Sequence, residues 1–107
     1  MNTQIKKGVL ELIVLLSVNS KDMYGYELIE EVSKVVDVND GTIYPLLKRL
    51  TNDKYFDTYL VESKEGPSRK YYKLTVLGKE RMHELLQIWL DFSKSVNEFI
   101  EKRNVCE

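Results

Sequence analysis

Apolar residues recur along much of this chain with the period of a helix, and the places where that period breaks mark its elements. Between Ile5 and Val18, Val9, Leu12, Ile13 and Leu16 repeat at the 3.6-residue spacing of a helix. Leu10, Val14 and Leu15 add a second apolar face, which predicts a helix buried on more than one side. Asn19 to Met23 is polar and turn-like. Tyr24 to Val36 predicts a second helix, with Leu28, Ile29, Val32, Val35 and Val36 inward and Glu27, Glu30, Glu31 and Lys34 toward water. Asp37 to Gly41 interrupts it and offers Asn39 or Asp40 as the N-cap of a third helix. That helix runs to about Thr51 and buries Ile43, Leu46, Leu47 and Leu50. Pro45 has no backbone donor, so it sits near the first turn or kinks the helix, and the pattern leaves both open.

The helical period then lapses. Tyr55 to Glu62 is rich in aromatic and β-branched residues and predicts a strand; Ser63 to Ser68 contains the turn word Lys64-Glu65-Gly66-Pro67; Arg69 to Thr75 predicts the returning strand. Thr75 caps a final helix of about 25 residues. Met82, Leu85, Trp89, Phe92, Val96 and Phe99 follow one another at steps of 3, 4, 3, 4 and 3, and Leu86, Ile88, Leu90 and Ile100 widen the stripe. Three helices and a hairpin already supply a core for so small a domain. The wide stripe therefore predicts packing on another subunit, a homodimer being the commonest solution, with folding back onto its own domain as the alternative. The order helix, helix, turn, helix, ribbon predicts an α+β, mainly α fold: a winged helix-turn-helix with a long C-terminal dimerisation helix. Residues 1–75 form the DNA-binding part and residues 76–107 the dimerisation helix of one structural unit.

Composition narrows the function. The 107 residues are 43% hydrophobic and 31% charged, as expected for one soluble core. The most apolar stretch, Val9 to Val18, is broken by Glu11 and Ser17 and falls short of the roughly 20 residues that span a bilayer. It also lacks the flanks of a secretory signal, so a cytoplasmic protein without membrane partners is expected. Cys106, the only cysteine, can build neither a disulfide nor a metal site within one chain. His83, the only histidine, has no evident nucleophile or metal partner, and no phosphate-loop, dinucleotide or zinc-protease word occurs. No enzyme, cofactor or metal is expected.

A net charge of −1 argues against indiscriminate coating of nucleic acid. Charge is nevertheless sorted along the chain. Lys64 to Arg81 holds six basic residues against Glu65 and Glu80, while Asp22 to Asp40 holds six acidic residues against Lys34. In a winged helix-turn-helix the third helix enters the major groove, about 12 Å wide. The outer face Thr42, Tyr44, Lys48 and Arg49 suits that role, hydroxyls bonding phosphates or base edges and cations neutralising phosphate. Lys64, Arg69 and Lys70 at the hairpin would lie over the backbone or the adjacent minor groove. Two blander readings stand beside this one: ordinary solvated charges, or a winged-helix protein–protein interaction module without DNA binding.

Three words sharpen the choice. Tyr24-Gly25-Tyr26-Glu27-Leu28, Gly41-Thr42-Ile43-Tyr44-Pro45-Leu46-Leu47-Lys48-Arg49-Leu50 and Gly66-Pro67-Ser68-Arg69-Lys70-Tyr71-Tyr72-Lys73-Leu74-Thr75-Val76-Leu77-Gly78 together resemble the PadR family of bacterial transcriptional regulators, in its compact branch with a single C-terminal helix. The resemblance implies a homodimer clasped by the last helix, a palindromic double-stranded operator, and repression relieved by a small hydrophobic or aromatic effector. It places Thr42, Tyr44, Pro45 and Lys48 at the DNA face and Lys70 on the wing. Trp89 matches the position at which multidrug-responsive relatives sandwich flat aromatic compounds, although its place on the heptad stripe equally suits interface core. Two departures stand out. The family's acidic residue and glycine after the third helix are here Thr51 and Lys54, which leaves the left-handed cap less assured, and Ser68 replaces a common proline or glycine at the wing.

Overall fold

The computed structural model describes the backbone of residues 3–103 and the side chains of residues 9–103, so Cys106 lies outside the described residues. Its elements are α1 (Thr3–Ser20), β1 (Met23–Tyr24), α2 (Gly25–Ser33), α3 (Asp40–Asn52), β2 (Phe56–Ser63), β3 (Gly66–Leu74) and α4 (Val76–Glu101). The strands form one antiparallel sheet in the order β1-β3-β2. Helices α2 and α3, the hairpin β2–β3 and the long α4 make the winged helix-turn-helix that the pattern predicts.

The second helix departs from expectation at both ends. Tyr24 is not helical: with Met23 it forms β1, pairing with Tyr71 and Tyr72 of β3. Two residues cannot display a period, so this strand leaves no mark in the sequence. At the other end α2 stops at Ser33, where turn bonds from Val35 and Val36 to the Val32 carbonyl close it. Val35, expected inside, is 61% exposed.

The two apolar faces of α1 take different fates. Leu10, Leu12, Val14, Leu15 and Val18 are buried and join Leu28, Val32, Ile43, Leu47, Leu50, Phe56, Tyr72 and Met82 in the core. Each fully buried aliphatic side chain there contributes about 1.5–3 kcal/mol relative to exposure. Val9 and Ile13 are only half-buried and Leu16 is exposed, although they carry the clearest helical repeat.

Pro45 lies inside α3, in its second turn. Its missing N–H leaves the carbonyl of Gly41 without its helical donor, tolerated because Gly41 is exposed to water. The wing is longer than expected. Phe56 pairs with Leu74 at its base and Ser63 with Gly66 at its end, so Lys64 and Glu65 alone form the tip and Gly66, Pro67 and Ser68 belong to β3. Pro67 is admissible there because β1 reaches only Tyr71 and Tyr72, leaving the outer edge of β3 unpaired.

The end of α3 and the start of α4 are one knot. Lys54 takes the left-handed conformation, with φ of 70°, where a glycine is usual. The Tyr55 N–H donates to the Leu50 carbonyl at 2.9 Å and the Lys54 N–H to Thr51 at 3.0 Å, a complete Schellman closure. The Tyr55 carbonyl then accepts from the Thr75 N–H at 3.0 Å, and the Thr75 hydroxyl donates to the Lys54 carbonyl at 2.7 Å. Thr75 Oγ1 in turn accepts from Gly78 N at 2.9 Å, capping α4 as expected. A methyl group on Gly78 would drive into the Tyr55 carbonyl oxygen.

The left-handed lysine sets a direct test. A residue with a Cβ at this φ costs roughly 1–2 kcal/mol, partly offset by the greater unfolded freedom of glycine, roughly 0.5–1 kcal/mol. Lys54→Gly should stabilise the chain by about 0.5–1 kcal/mol, a rise of about 2–8 °C in Tm. A melting curve that is unchanged or lowered would show that Lys54 is not strained.

Candidate nucleic-acid interface

The outward side chains of α3 and the cations of the wing are held by different elements and brought together by the short strand β1. Because β1 ends at Tyr24, the chain turns directly into α2 at Gly25 beside the unpaired edge of β3. A hollow of about 410 Å³ opens there, lined by Tyr24, Gly25, Tyr44, Arg69, Lys70 and Tyr72. Gly25 makes the closure possible: a Cβ on it would meet the edge of the Tyr44 ring at 2.5 Å. The ring of Tyr44 thus lies against the start of α2, and the side chain remains 44% exposed.

Aromatic rings position the cations. The Arg69 guanidinium stands over the Tyr24 ring at 4.6 Å from its centroid, and the Lys70 ammonium is 5.9 Å from that of Tyr72. Tyr24, Tyr71 and Tyr59 continue as a row of rings across the three strands, at 5.4 and 5.6 Å between centroids. The row is anchored where the Tyr59 hydroxyl donates to Asp22 at 2.7 Å. That bond to the carboxylate pushes the phenol pKa up to about 12. Burial, together with nearby Tyr44, also raises the Tyr72 phenol, so both remain proton donors at neutral pH.

Of the residues expected at DNA, the structure gathers Tyr44, Arg69 and Lys70 in the hollow. Lys64 is exposed at the wing tip, and Pro45 and Lys48 are exposed on α3. Thr42 is half-buried, with its hydroxyl 3.5 Å from Asn39 Oδ1. Arg49 is placed differently. Its Nη2 lies 2.7 Å from Glu11 Oε1 and its Nη1 3.6 Å from Asp53, so its charge is already engaged within the chain.

Glu11 also holds Arg81 of α4 at 2.9 Å, and its side chain is 14% exposed. One carboxylate from α1 therefore bridges α3 and α4. Burial pushes the Glu11 carboxyl up, but the bonds and charges of Arg49 and Arg81 outweigh it and hold the pKa below the ordinary value. In the sequence Glu11 is only an interruption of an apolar run. That interruption is itself the available signal, because a carboxylate on an apolar helix is rarely buried unless paired. Tyr24 and Gly25 belong to a word that carries the resemblance without indicating their role, and Tyr72 reads simply as a strand residue.

The seam residues divide at the middle of α4. Met82 is buried and Leu85 packs against the core, whereas Trp89, Phe92, Val96 and Phe99 are all exposed, Phe92 by 62%. The Arg103 guanidinium covers the Phe99 ring at 3.6 Å. Where the seam leaves the core, Val9, Leu12, Ile13 and Leu16 of α1, Val35, and Leu86, Trp89 and Leu90 of α4 line an open apolar groove of about 380 Å³. Among the described residues no helix is long and apolar enough to cross a membrane.

Comparison with known proteins matches this geometry. The profile of the transcriptional regulator PadR-like family fits residues 14–84. A crystal structure of a PadR-like transcriptional regulator from Bacillus cereus is similar over 92% of this chain and 97% of its own, at 39% identity and a TM-score of 0.83. A PadR-like transcription factor from Bacteroides fragilis is 38% identical over 91% of this chain and 95% of its own, with a TM-score of 0.76. An uncharacterised protein of Lysinibacillus sphaericus is 31% identical over 103 residues, 92% of this chain and 94% of its own.

The Glu11 bridge has a defined pH signature. Its carboxyl titrates lower folded than unfolded, so the stability it contributes is fully present above the ordinary value of 4.5 and is lost as pH falls through the folded pKa. Glu11→Gln should cost about 1–3 kcal/mol at pH 7. The gap to the unaltered protein should narrow steadily below pH 4.5 in urea titrations. A gap independent of pH would remove the charge from the account.

Proposed function

The chain belongs to the PadR-like family of transcriptional regulators, and from that premise we propose that it is a ligand-responsive repressor that binds a palindromic operator as a homodimer. Proteins of this family regulate transcription by binding DNA and are not enzymes. The observation that carries the finer reading is the meeting of Tyr44 from α3 with Arg69 and Lys70 from the wing in one cationic hollow. An element that enters a groove and a ribbon that straddles the backbone are thereby held as one surface. Thr42, Tyr44, Pro45 and Lys48 face the major groove in this reading, and Lys64, Arg69 and Lys70 follow the backbone. Arg49 contributes chiefly by holding α3 to Glu11. The cytoplasm is the expected compartment.

The homodimer is supported by the uncovered half of α4. Ile88, Trp89, Leu90, Phe92, Val96 and Phe99 present an apolar stripe that is exposed among the described residues. Such a stripe in water favours a second copy, and two-fold pairing makes it self-complementary. Residues 1–75 then act as the DNA-binding part and residues 76–107 as the clasp, setting the two α3 helices about 34 Å apart, one duplex turn. Beside the clasp, the groove at Trp89 has the size and apolar lining of a small-molecule site, and a flat aromatic effector is the ligand it suits.

Three experiments test these points. In gel shifts on its own upstream region the protein should survive competitor DNA and weaken as salt rises. Lys48→Ala, which removes two phosphate contacts per dimer, should flatten the logarithmic salt slope by about 1.8. Planar aromatic compounds that release the DNA should quench Trp89. Equal affinity for any duplex would leave the protein-interaction alternative standing, and release without quenching would move the effector elsewhere. Separately, Phe92→Glu should convert the dimer to monomers in light scattering while leaving the winged domain folded. An intact dimer would refute the clasp.

A further inference from the structure

The hollow between the wing and α2 contains a buried group that the fold itself does not use. Tyr72 is only 6% exposed, and its ring packs edge-on against Phe56 at 5.8 Å between centroids. Yet among the described residues its hydroxyl makes no hydrogen bond, and Tyr72 lines the hollow. Its ring is buried, but no side-chain oxygen or nitrogen among the described residues is both sealed off and unpaired, so the hydroxyl is open to the hollow and water satisfies it there in the free protein. The ligand of this hydroxyl therefore enters the hollow from outside.

The remaining lining defines the chemistry of that ligand. Arg69 and Lys70 supply two cations, Tyr24 and Tyr44 are the other side chains, and no carboxylate lines the space. The guanidinium of Arg69 stands over Tyr24 and makes no hydrogen bond or ion pair with the described residues, so its N–H groups can donate to a ligand. Donors and positive charge converging on a small space match a tetrahedral oxyanion.

We infer that the Tyr72 hydroxyl, with Tyr44, Arg69 and Lys70, seats one phosphodiester of the DNA backbone at the flank of α3. The inference rests on the DNA-binding reading and deepens it. Tyr72 is the fixed donor at the floor, Arg69 and Lys70 neutralise the phosphate, and Tyr44, seated on Gly25, ties the register of this phosphate to the groove-facing side of α3. The contact carries no base information; it sets where along the backbone α3 is lowered into the groove.

The test uses the full chain and an operator duplex carrying a neutral methylphosphonate at each successive position of a half-site. Tyr72→Phe should keep its melting temperature and lose about tenfold in operator affinity at moderate salt, with an unchanged salt slope because no charge is removed. Arg69→Gln should flatten the slope by about 1.8 for the two subunits. One methylphosphonate position should weaken the unaltered protein strongly and Tyr72→Phe much less, while all other positions weaken both equally. Equal operator affinity of Tyr72→Phe and the unaltered protein, or the same methylphosphonate profile for both, would overturn the phosphate seat while leaving DNA binding intact. Failure of the unaltered protein to prefer its upstream region would instead overturn the regulatory reading. Tight, saturable binding of inorganic phosphate to the free protein, lost in Tyr72→Phe and without methylphosphonate coupling, would assign the hollow to a free anion and overturn the backbone source.

Discussion

Everything the interface can do depends on how rigidly α3 is joined to α4, and two polar ties make that joint. One is the turn that ends α3, where the Tyr55 carbonyl receives the N–H of Thr75 and the Lys54 carbonyl its hydroxyl as α4 begins. The other is the carboxylate of Glu11, which grips Arg49 of α3 and Arg81 of α4 from the side. Hydrogen bonds and ion pairs are directional where apolar packing is not, so two of them at separate points fix an angle that packing alone would leave soft. A rotation of α4 must break at least one tie. In the proposed dimer the clasp is made by α4 and the reading by α3, so the distance between the two reading helices is inherited from this joint.

Several carboxylates of this slightly acidic chain are engaged away from the candidate interface. Glu11 answers Arg49 and Arg81, Glu27 answers Lys21, Glu31 answers Lys34, and Asp22 accepts from Tyr59. Among the described residues Lys48, Lys64, Arg69 and Lys70 form no such pair. Exposed pairs of this kind contribute little to stability. On α3 and the wing, Lys48, Lys64, Arg69 and Lys70 thus keep charges that no carboxylate among the described residues engages. Apolar surface divides in the same manner. One face of α1 completes the core, and the other, with the outer half of α4, is left uncovered.

Much of this was legible beforehand, and the residues show why. The helical repeats of α1, α3 and α4, the aromatic and β-branched runs and turn word of the wing, and the Thr75 cap are local features, determined by neighbours within a few positions. Lys54 shows where local rules stop. Its side chain argues against a left-handed cap, yet the cap forms, because the Leu50 and Thr51 carbonyls and the docking of Tyr55 on Thr75 outweigh the strain of one residue. Tyr24 shows the same from the other side: its strand exists only because Tyr71 and Tyr72 pair with it.

By itself the sequence determined the order of elements, the faces of the long helices, the basic wing and the family resemblance, since periodicity and short words are properties of consecutive residues. Tertiary structure alone decided that Arg49 turns to Glu11, that β1 completes the sheet, and that Tyr24, Tyr44, Arg69, Lys70 and Tyr72 share one hollow. Those residues are separated by up to 48 positions along the chain. What joins them is the pairing of strands and the burial of charge, interactions between segments for which no spacing in the sequence provides a code.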